Sequence, residues 1–405
     1  MSALPYAPPM RILFYTTMAV VLSVLLFFVH RYLWRRWVRD TELTGSTRRA
    51  ATIGLFALGG VVPLAMVLGR LLGRGVSQPL AIVAFSWMGF VVFALLVLFA
   101  ADLARWLSRK LRRPEVTPTL VAGPAPEPDR RTFLARAVAG ASAVTAGGVF
   151  AIGTRNALGE IDVVRFPVAL PRLPKALDGL KVVQLTDVHI GPLLDGRFLE
   201  GVVEKVNAEK PDLVVITGDL VDGSTSLIGA DVARLAKLQS RFGTYFVTGN
   251  HEYYSGAEDW VAFLQKLGVR TLLNEHVRIG DAGARFTLAG ITDKQAGMFV
   301  PAHAPDLGRA LAGRRPEDAL LLLAHRPNPI KEAAAQGVGL QLSGHTHGGQ
   351  FFPVTAIGAL VHPYNAGLHQ HNADTQIYVS RGTGFWGPPL RILAPAEITS
   401  ITLTA

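Results

Sequence analysis

Three apolar runs, at about residues 12–30, 50–70 and 77–101, carry no charged side chain in their interiors. Each is close to the ~20 residues a helix needs to cross roughly 30 Å of hydrocarbon. Helices buried in a soluble core rarely run so long without charge, so residues 1–155 are expected to form an all-α transmembrane region. A fourth run, at about 135–154, is richer in Ala and Gly and is expected to be retained as a further span. It follows "DRRTFLARA", where Arg130 and Arg131 precede Phe133 and Leu134 in the manner of a twin-arginine export signal, but after three spans and not at an N-terminus.

Charge separates the same two regions. Residues 1–155 hold 18 Lys and Arg against 6 Asp and Glu, whereas residues 156–405 hold 22 against 24. The basic excess lies between apolar runs and not on a candidate binding face, so it marks membrane flanks, and nucleic-acid binding is not expected. The first connection carries Arg31, Arg35, Arg36, Arg39, Arg48 and Arg49, and the third carries seven Arg and Lys, including Arg105, Arg112 and Arg131. The second has only Arg70 and Arg74. Lys and Arg favour cytoplasmic loops, so four crossings of the cytoplasmic membrane would deliver everything after about residue 155 to its outer, periplasmic or extracellular, side. The segment "PEVTPTLVAGPAPEPD", 114–129, reads as a Pro-rich linker.

Residues 156–405 have the pattern of a separate α/β domain. Short apolar runs, "LKVVQLTD", "PDLVVITGD", "TYFVTGN", "RFTLAGI", "ALLLLAH", "VGLQLSG" and "TQIYVSRG", read as strands, each closed by a polar or Gly-containing turn. "GRFLEGVVEKVNAEK" and "GAEDWVAFLQKLG" between them have helical spacing. This alternation predicts a substantially parallel sheet with later strands antiparallel, and ligands gathered beyond the strands' carboxyl ends.

Metal-capable side chains fall at those ends. They are Asp187 and His189 in "TDVHIG", Asp219 in "TGDLVD", Asn250 and His251 in "TGNHEYY", His325 in "LAHRP", and His345 with His347 in "SGHTHGG". Each alone has an ordinary explanation as a turn, a cap or a surface histidine. Five ordered hits, each just after an apolar run, point to one metal site. If His345 and His347 continue a strand, residues i and i+2 present both rings to one locus, with Gly344, Gly348 and Gly349 letting the backbone turn. With no cysteine in the chain, thiolate ligation is excluded.

The ordered series D-x-H, G-D-x-x-D, G-N-H-E, a single His and G-H-x-H resembles the calcineurin-like metallophosphoesterase superfamily over roughly residues 180–350. "LQLSGHTHGGQFFP" and "YVSRGTGFWGPPLR" look like a membrane-anchored bacterial subgroup of it. The resemblance implies two packed β-sheets flanked by helices. It also implies that Asp187, His189 and His347 hold one divalent metal, that Asn250, His325 and His345 hold a second, and that Asp219 bridges them. His251 would be the catalyst that is not a ligand, with Asp222 and Glu252 orienting ligands. Mixed N and O donors suit Mn, Fe or Zn. The implied activity is phosphoester hydrolysis, by a phosphodiesterase or pyrophosphatase acting on a membrane-associated, lipid-linked or surface substrate. The alternatives are a phosphomonoesterase and a non-catalytic, metal-bound membrane sensor or scaffold. Arg326, Arg381, Phe385 and Trp386 are candidate substrate contacts. "DKQAGMFVPAHAP", from Asp293, is a candidate rim, and "HPYNAGLHQHN" reads as a solvated loop.

Overall fold

The computed structural model describes residues 8–68, 74–111, 128–281 and 283–405, and divides into two compact units, Pro8–Thr154 and Arg155–Ala405. The expected linker at 114–129 lies almost wholly outside the described residues, as do Arg70, Arg112 and Arg113.

The first unit is helical: α1 Pro8–Trp34, α2 Gly45–Leu68, α3 Arg74–Leu111 and α4 Pro128–Leu158, the last turn of α4 belonging to the second unit. Among the described residues, Gly45–Ala65, Gly75–Leu111 and Arg130–Leu158 are long and apolar enough to cross a membrane. The last of these contains the Ala- and Gly-rich fourth run. The first expected span lies in α1, where the side chains of residues 8–16 are outside the described set. Large apolar groups such as Phe28, Ile53, Phe99 and Val144 face outward, as lipid-facing helices require. Polar groups pair inward: Trp37 Nε1 donates to Ser142 Oγ at 2.9 Å, and Arg36 meets Asp102 at 3.2 Å. Arg35, Arg36 and Arg39, expected in a loop, instead extend α1 as a π-helical turn.

The described residues of the second unit form twelve strands. They are β1 Asp162–Ala169, β2 Leu180–Leu185, β3 Leu213–Ile216, β4 Thr244–Phe246, β5 Val269–Thr271, β6 Glu275–Asp281, β7 Ala284–Gly290, β8 Leu320–Leu323, β9 Leu340–Ser343, β10 Gly367–Gln370, β11 Gln376–Val379 and β12 Glu397–Thr404. One six-stranded sheet has the order β1-β12-β2-β3-β4-β5, the other β10-β11-β9-β8-β7-β6. The centre of each sheet is parallel, and the antiparallel pairs are β12 with β2, β10 with β11 and β6 with β7. The segment read as a solvated loop is therefore partly an edge strand, because β10 pairs with β11 despite its Gly and His content.

Alternation along the strands builds the core. Leu213 and Val215 of β3 share a buried cluster with Leu321 and Leu323 of β8, between the sheets. Val214 and Ile216 face helices α5 Gly196–Ala208 and α8 Ala257–Lys266. Leu320 and Leu322 face the short helix Leu307–Leu311 on the other side. Because both faces of the central strands are covered, they read as unbroken apolar runs. The spacing of Leu199, Val202, Val203 and Val206 gives α5 its buried stripe, and Asp195 caps it by accepting from the Arg197 and Phe198 amides.

Candidate metal centre

Polar turns follow β2, β3, β4, β8 and β9, and hydrogen bonds tie them into one edge. The Asp187 amide donates to Gly218 O at 3.0 Å, the His189 amide to Asp219 O at 3.1 Å, and the His345 amide to Asp187 Oδ2 at 2.9 Å. Five of the metal-capable residues hold left-handed backbone: Asp187 (φ 51°), His189 (53°), Asp219 (51°), His345 (69°) and His347 (51°). Such conformations cost on the order of 1–3 kcal/mol each in residues other than glycine, and concentrate where function requires them. Glycine allows the close approach: a Cβ at Gly344 would stand 2.1 Å from Asp187 Oδ2, and one at Gly249 would stand 2.2 Å from Asp219 Oδ1.

The side chains assemble into two groups of metal-capable donors. In the first, Asp187, His189 and His347, the two Nε2 atoms face each other at 3.1 Å and His347 Nε2 is 3.3 Å from Asp187 Oδ1. His189 Nδ1 lies 3.1 Å from Asp222 Oδ2, which holds the ring proton there and leaves the Nε2 lone pair facing the group. In the second, Asp219, His325 and His345, His325 Nε2 is 3.2 Å from Asp219 Oδ2 and 3.1 Å from His345 Nδ1. His325 Nδ1 donates to Thr217 O at 2.8 Å, again turning Nε2 inward. Asn250, the first residue of α7 Asn250–Ser255, is buried, and its Oδ1 accepts from Arg326 Nη2 at 2.9 Å.

His345 and His347 thus do not lie on a strand and do not share one locus. β9 ends at Ser343, the pair follows in a turn, and left-handed backbone at both residues sends one ring to each group. Gly348 (φ 59°) and Gly349 (φ 81°) complete that turn.

His189, Asp222 and His251 form a third cluster, explained by Asp222 bridging two rings: its Oδ1 is 2.5 Å from His251 Nδ1. That leaves His251 Nε2, 3.9 Å from Asp219 Oδ2, turned toward the groups. Glu252 accepts from the amides of Gly249, Asp219 and Leu220 at 2.7, 3.0 and 2.8 Å, so it orders the turn backbone rather than a donor side chain.

Electrostatics divides the rings. Burial opposes charge on His325, but the Asp219 carboxylate outweighs it and raises the ring to about 10. Burial likewise opposes charge on His251, yet Asp219 and Asp222 raise it to about 9. Burial, then His325 and Arg326, drive His345 down to about 2. Burial and the Arg391 guanidinium hold His347 well below the usual imidazole value. Burial opposes the ionised form of Asp219, but the charges of His325 and His251 keep it well below the ordinary carboxylate range. Imidazole nitrogens facing one another beside buried carboxylates form a donor set that fits divalent cations.

The calcineurin-like phosphoesterase family matches this chain over residues 180–349. A transmembrane protein with metallophosphoesterase domain from Danio rerio is 36% identical over 331 residues, covering 80% of this chain and 74% of that protein. The chain belongs to the calcineurin-like metallophosphoesterases. An uncharacterized metallophosphoesterase from Helicobacter pylori is 41% identical over 257 residues (63% of this chain, 67% of that one), and one from Aquifex aeolicus 34% over 242 (60% and 91%). The Danio rerio match covers more of the chain than Arg155–Ala405 supplies, so that likeness reaches into the helical unit.

In this metallophosphoesterase the candidate substrate contacts separate. Arg326 is at the centre, with Nε 2.7 Å from Asp293 Oδ2 and Nη1 2.8 Å from His345 Nε2. Arg381 is instead paired with buried Glu397 at 2.5 Å. Phe385 is buried in the core, whereas Trp386 is exposed with its ring 6.5 Å from that of His251. The segment from Asp293 does border the site, since Tyr254, 5.3 Å from the His251 ring, donates to Gln295 Oε1 at 2.6 Å. The sequence reading missed Asp293 as the partner of Arg326, and it missed Arg391. That guanidinium is fully buried, donates to the carbonyls of Arg381 (2.6 Å), Gly382 (3.2 Å), Ala394 (3.2 Å), His347 (3.3 Å) and Gly384, and lies 3.2 Å from His347 Nδ1. Burial lowers it to about 10, which leaves it cationic at neutral pH. A lone charge within "FWGPPLRILAPA" was the available signal.

Proposed function

We propose that the chain is a dinuclear metal-dependent hydrolase of phosphoester bonds, a phosphodiesterase or pyrophosphatase acting on a membrane-associated or surface substrate. The observation that carries this reading is the pair of donor groups at one edge, with His251 Nε2 3.9 Å from Asp219 Oδ2. Asp187, His189 and His347 would hold one cation, Asn250, His325 and His345 the other, and Asp219 would be shared. Mn, Fe or Zn suits these donors. Such a pair supplies Lewis acidity that offsets phosphoryl charge and acidifies water.

The chain's own groups do the rest. Asp222 holds the His251 ring by Nδ1, which leaves its Nε2 turned toward Asp219. It is then poised to hydrogen-bond a phosphoryl oxygen or give a proton to the leaving oxygen. Arg326, braced on Asp293, brings a cation beside Asn250 and His345 to receive a substrate phosphate. Residues 1–155 would anchor the catalytic domain, 156–405, in the cytoplasmic membrane with that domain on the outer side, a reading supported by the Arg and Lys distribution.

The test is purified full-length protein with defined metals, assayed on a phosphodiester, a pyrophosphate diester and a phosphomonoester. Metal-dependent turnover of the first two is expected. Turnover of the monoester alone overturns the diesterase reading, and no turnover with two cations bound overturns catalysis.

A further inference from the structure

Helix α12, Val354–Val361, has the sequence "VTAIGALV", with no charged residue, and none of its residues is buried in the unit. A helix that is apolar all round normally lies inside something. Leu360 is 88% exposed, Val361 67% and Ile357 55%, beside the exposed ring of Phe352 just before the helix. The helix sits on the turn that carries His347: a Cβ at Gly349 would meet Thr355 Cα at 2.3 Å, and Thr346 Oγ1 donates to Asn365 O at 2.6 Å. Gln350 ties the same turn to a second exposed apolar pair. Its side chain bonds Trp386 N and O at 2.9 and 2.8 Å, its carbonyl accepts from the Ile392 amide, and Trp386 and Leu393 are 56% and 82% exposed.

What covers this surface is indicated by the chain itself. The membrane-length helix Arg130–Leu158 ends three residues before β1, a tether of about 10 Å at full extension. Its last turn belongs to the catalytic unit and docks on the loop that bears Trp386 and Leu393. Asn156 Nδ2 donates to Arg391 O at 3.1 Å, and Ala157 is buried in one cluster with Phe385 and Ala396. Trp386 and Leu393 therefore share a loop with the point where the apolar helix enters the unit, and Gln350 links that loop to the turn before α12. Trp beside aliphatic side chains suits a membrane–water boundary.

We infer that α12, with Trp386 and Leu393, is a lipid-contact surface that lays the mouth of the metal centre on the bilayer. The substrate class this fits is an amphiphile whose phosphoester stands at headgroup level while its apolar part stays in the membrane. The surface assignment rests on α4 inserting in the bilayer and is independent of the phosphoesterase reading.

The cysteine-free chain permits a clean test. Ile357→Cys, Leu360→Cys and, as a control at the exposed end of α8, Lys266→Cys are each made in the full-length protein. Each is labelled with an environment-sensitive fluorophore and reconstituted into phosphatidylcholine–phosphatidylglycerol vesicles. Flotation with the vesicles reports anchoring separately, and failure to float overturns the insertion on which the inference rests. Labels at 357 and 360 are expected to be quenched several-fold more by doxyl lipid than the label at 266, and several-fold less by aqueous iodide. Equal iodide quenching at all three positions overturns the proposal. Protection from iodide without quenching by doxyl lipid shows a protein cover, either a second copy or the chain's own helices, and overturns it too.

Discussion

The two donor groups differ in what stands behind them. In the first, every donor is braced from the interior: Asp187 by Thr186 Oγ1 at 2.7 Å, His189 by Asp222, and His347 beside the fully buried Arg391. In the second, the Thr217 carbonyl braces His325 and the His251 amide braces Asp219 at 2.9 Å. His345 and Asn250 share Arg326, whose side chain is 18% exposed and held by Asp293. The first group is shaped before any ligand arrives. The second is completed by a side chain that solvent and substrate can reach, so its cation is expected to be held less tightly and to respond to phosphate.

The largest test removes the link between the groups. Asp219→Asn is expected to take turnover below detection and to leave fewer than two cations per chain by elemental analysis; full cation content would show that the carboxylate is not shared. Next, His251→Gln should lower turnover by about 10²–10⁴-fold while both cations stay bound. Loss of cations with turnover would recast His251 as a holder. Arg391→Met should weaken the first group alone, by about 10–100-fold in cation affinity, as removing a group that orients a ligand does. It should also lower the melting temperature, because buried carbonyls each lose a donor at about 1–3 kcal/mol apiece. Arg391→Lys should recover part of both effects, whereas unchanged affinity would make Arg391 purely structural. The smallest expected effect is Arg326→Gln, about 10-fold on the second cation and none on the first. Graded chelation of the unaltered protein should release the second cation first, and simultaneous release would erase the distinction between the groups.

The strands that were legible are those covered on both faces. β2, β3, β4, β8, β9 and β11 lie within the apolar runs read as strands, and β7 begins one residue before its run. β1 was hidden by Pro167 and by exposed alternate residues on a sheet edge, β10 by Gly and His, and β12 by its Thr and Ser content despite its central place. The site residues were legible because each follows a strand. Strand geometry gave a wrong reason for the His345–His347 spacing, since a left-handed turn was not visible in composition.

By itself, the sequence determined which donors exist, that none is sulfur, that they follow the strands, and that the first region is apolar enough for lipid. These are local properties of composition and periodicity. Only the tertiary structure decided which ring joins which group, because His189 meets His347 across 158 positions of chain and His325 meets Asp219 through sheet order. Tertiary structure also decided that Arg381 and Phe385 turn away from the centre, that Arg391 is buried against His347, and that the apolar helix α12 faces outward. Burial and pairing are settled by what packs against a residue, and contacts between distant segments leave no mark on local spacing.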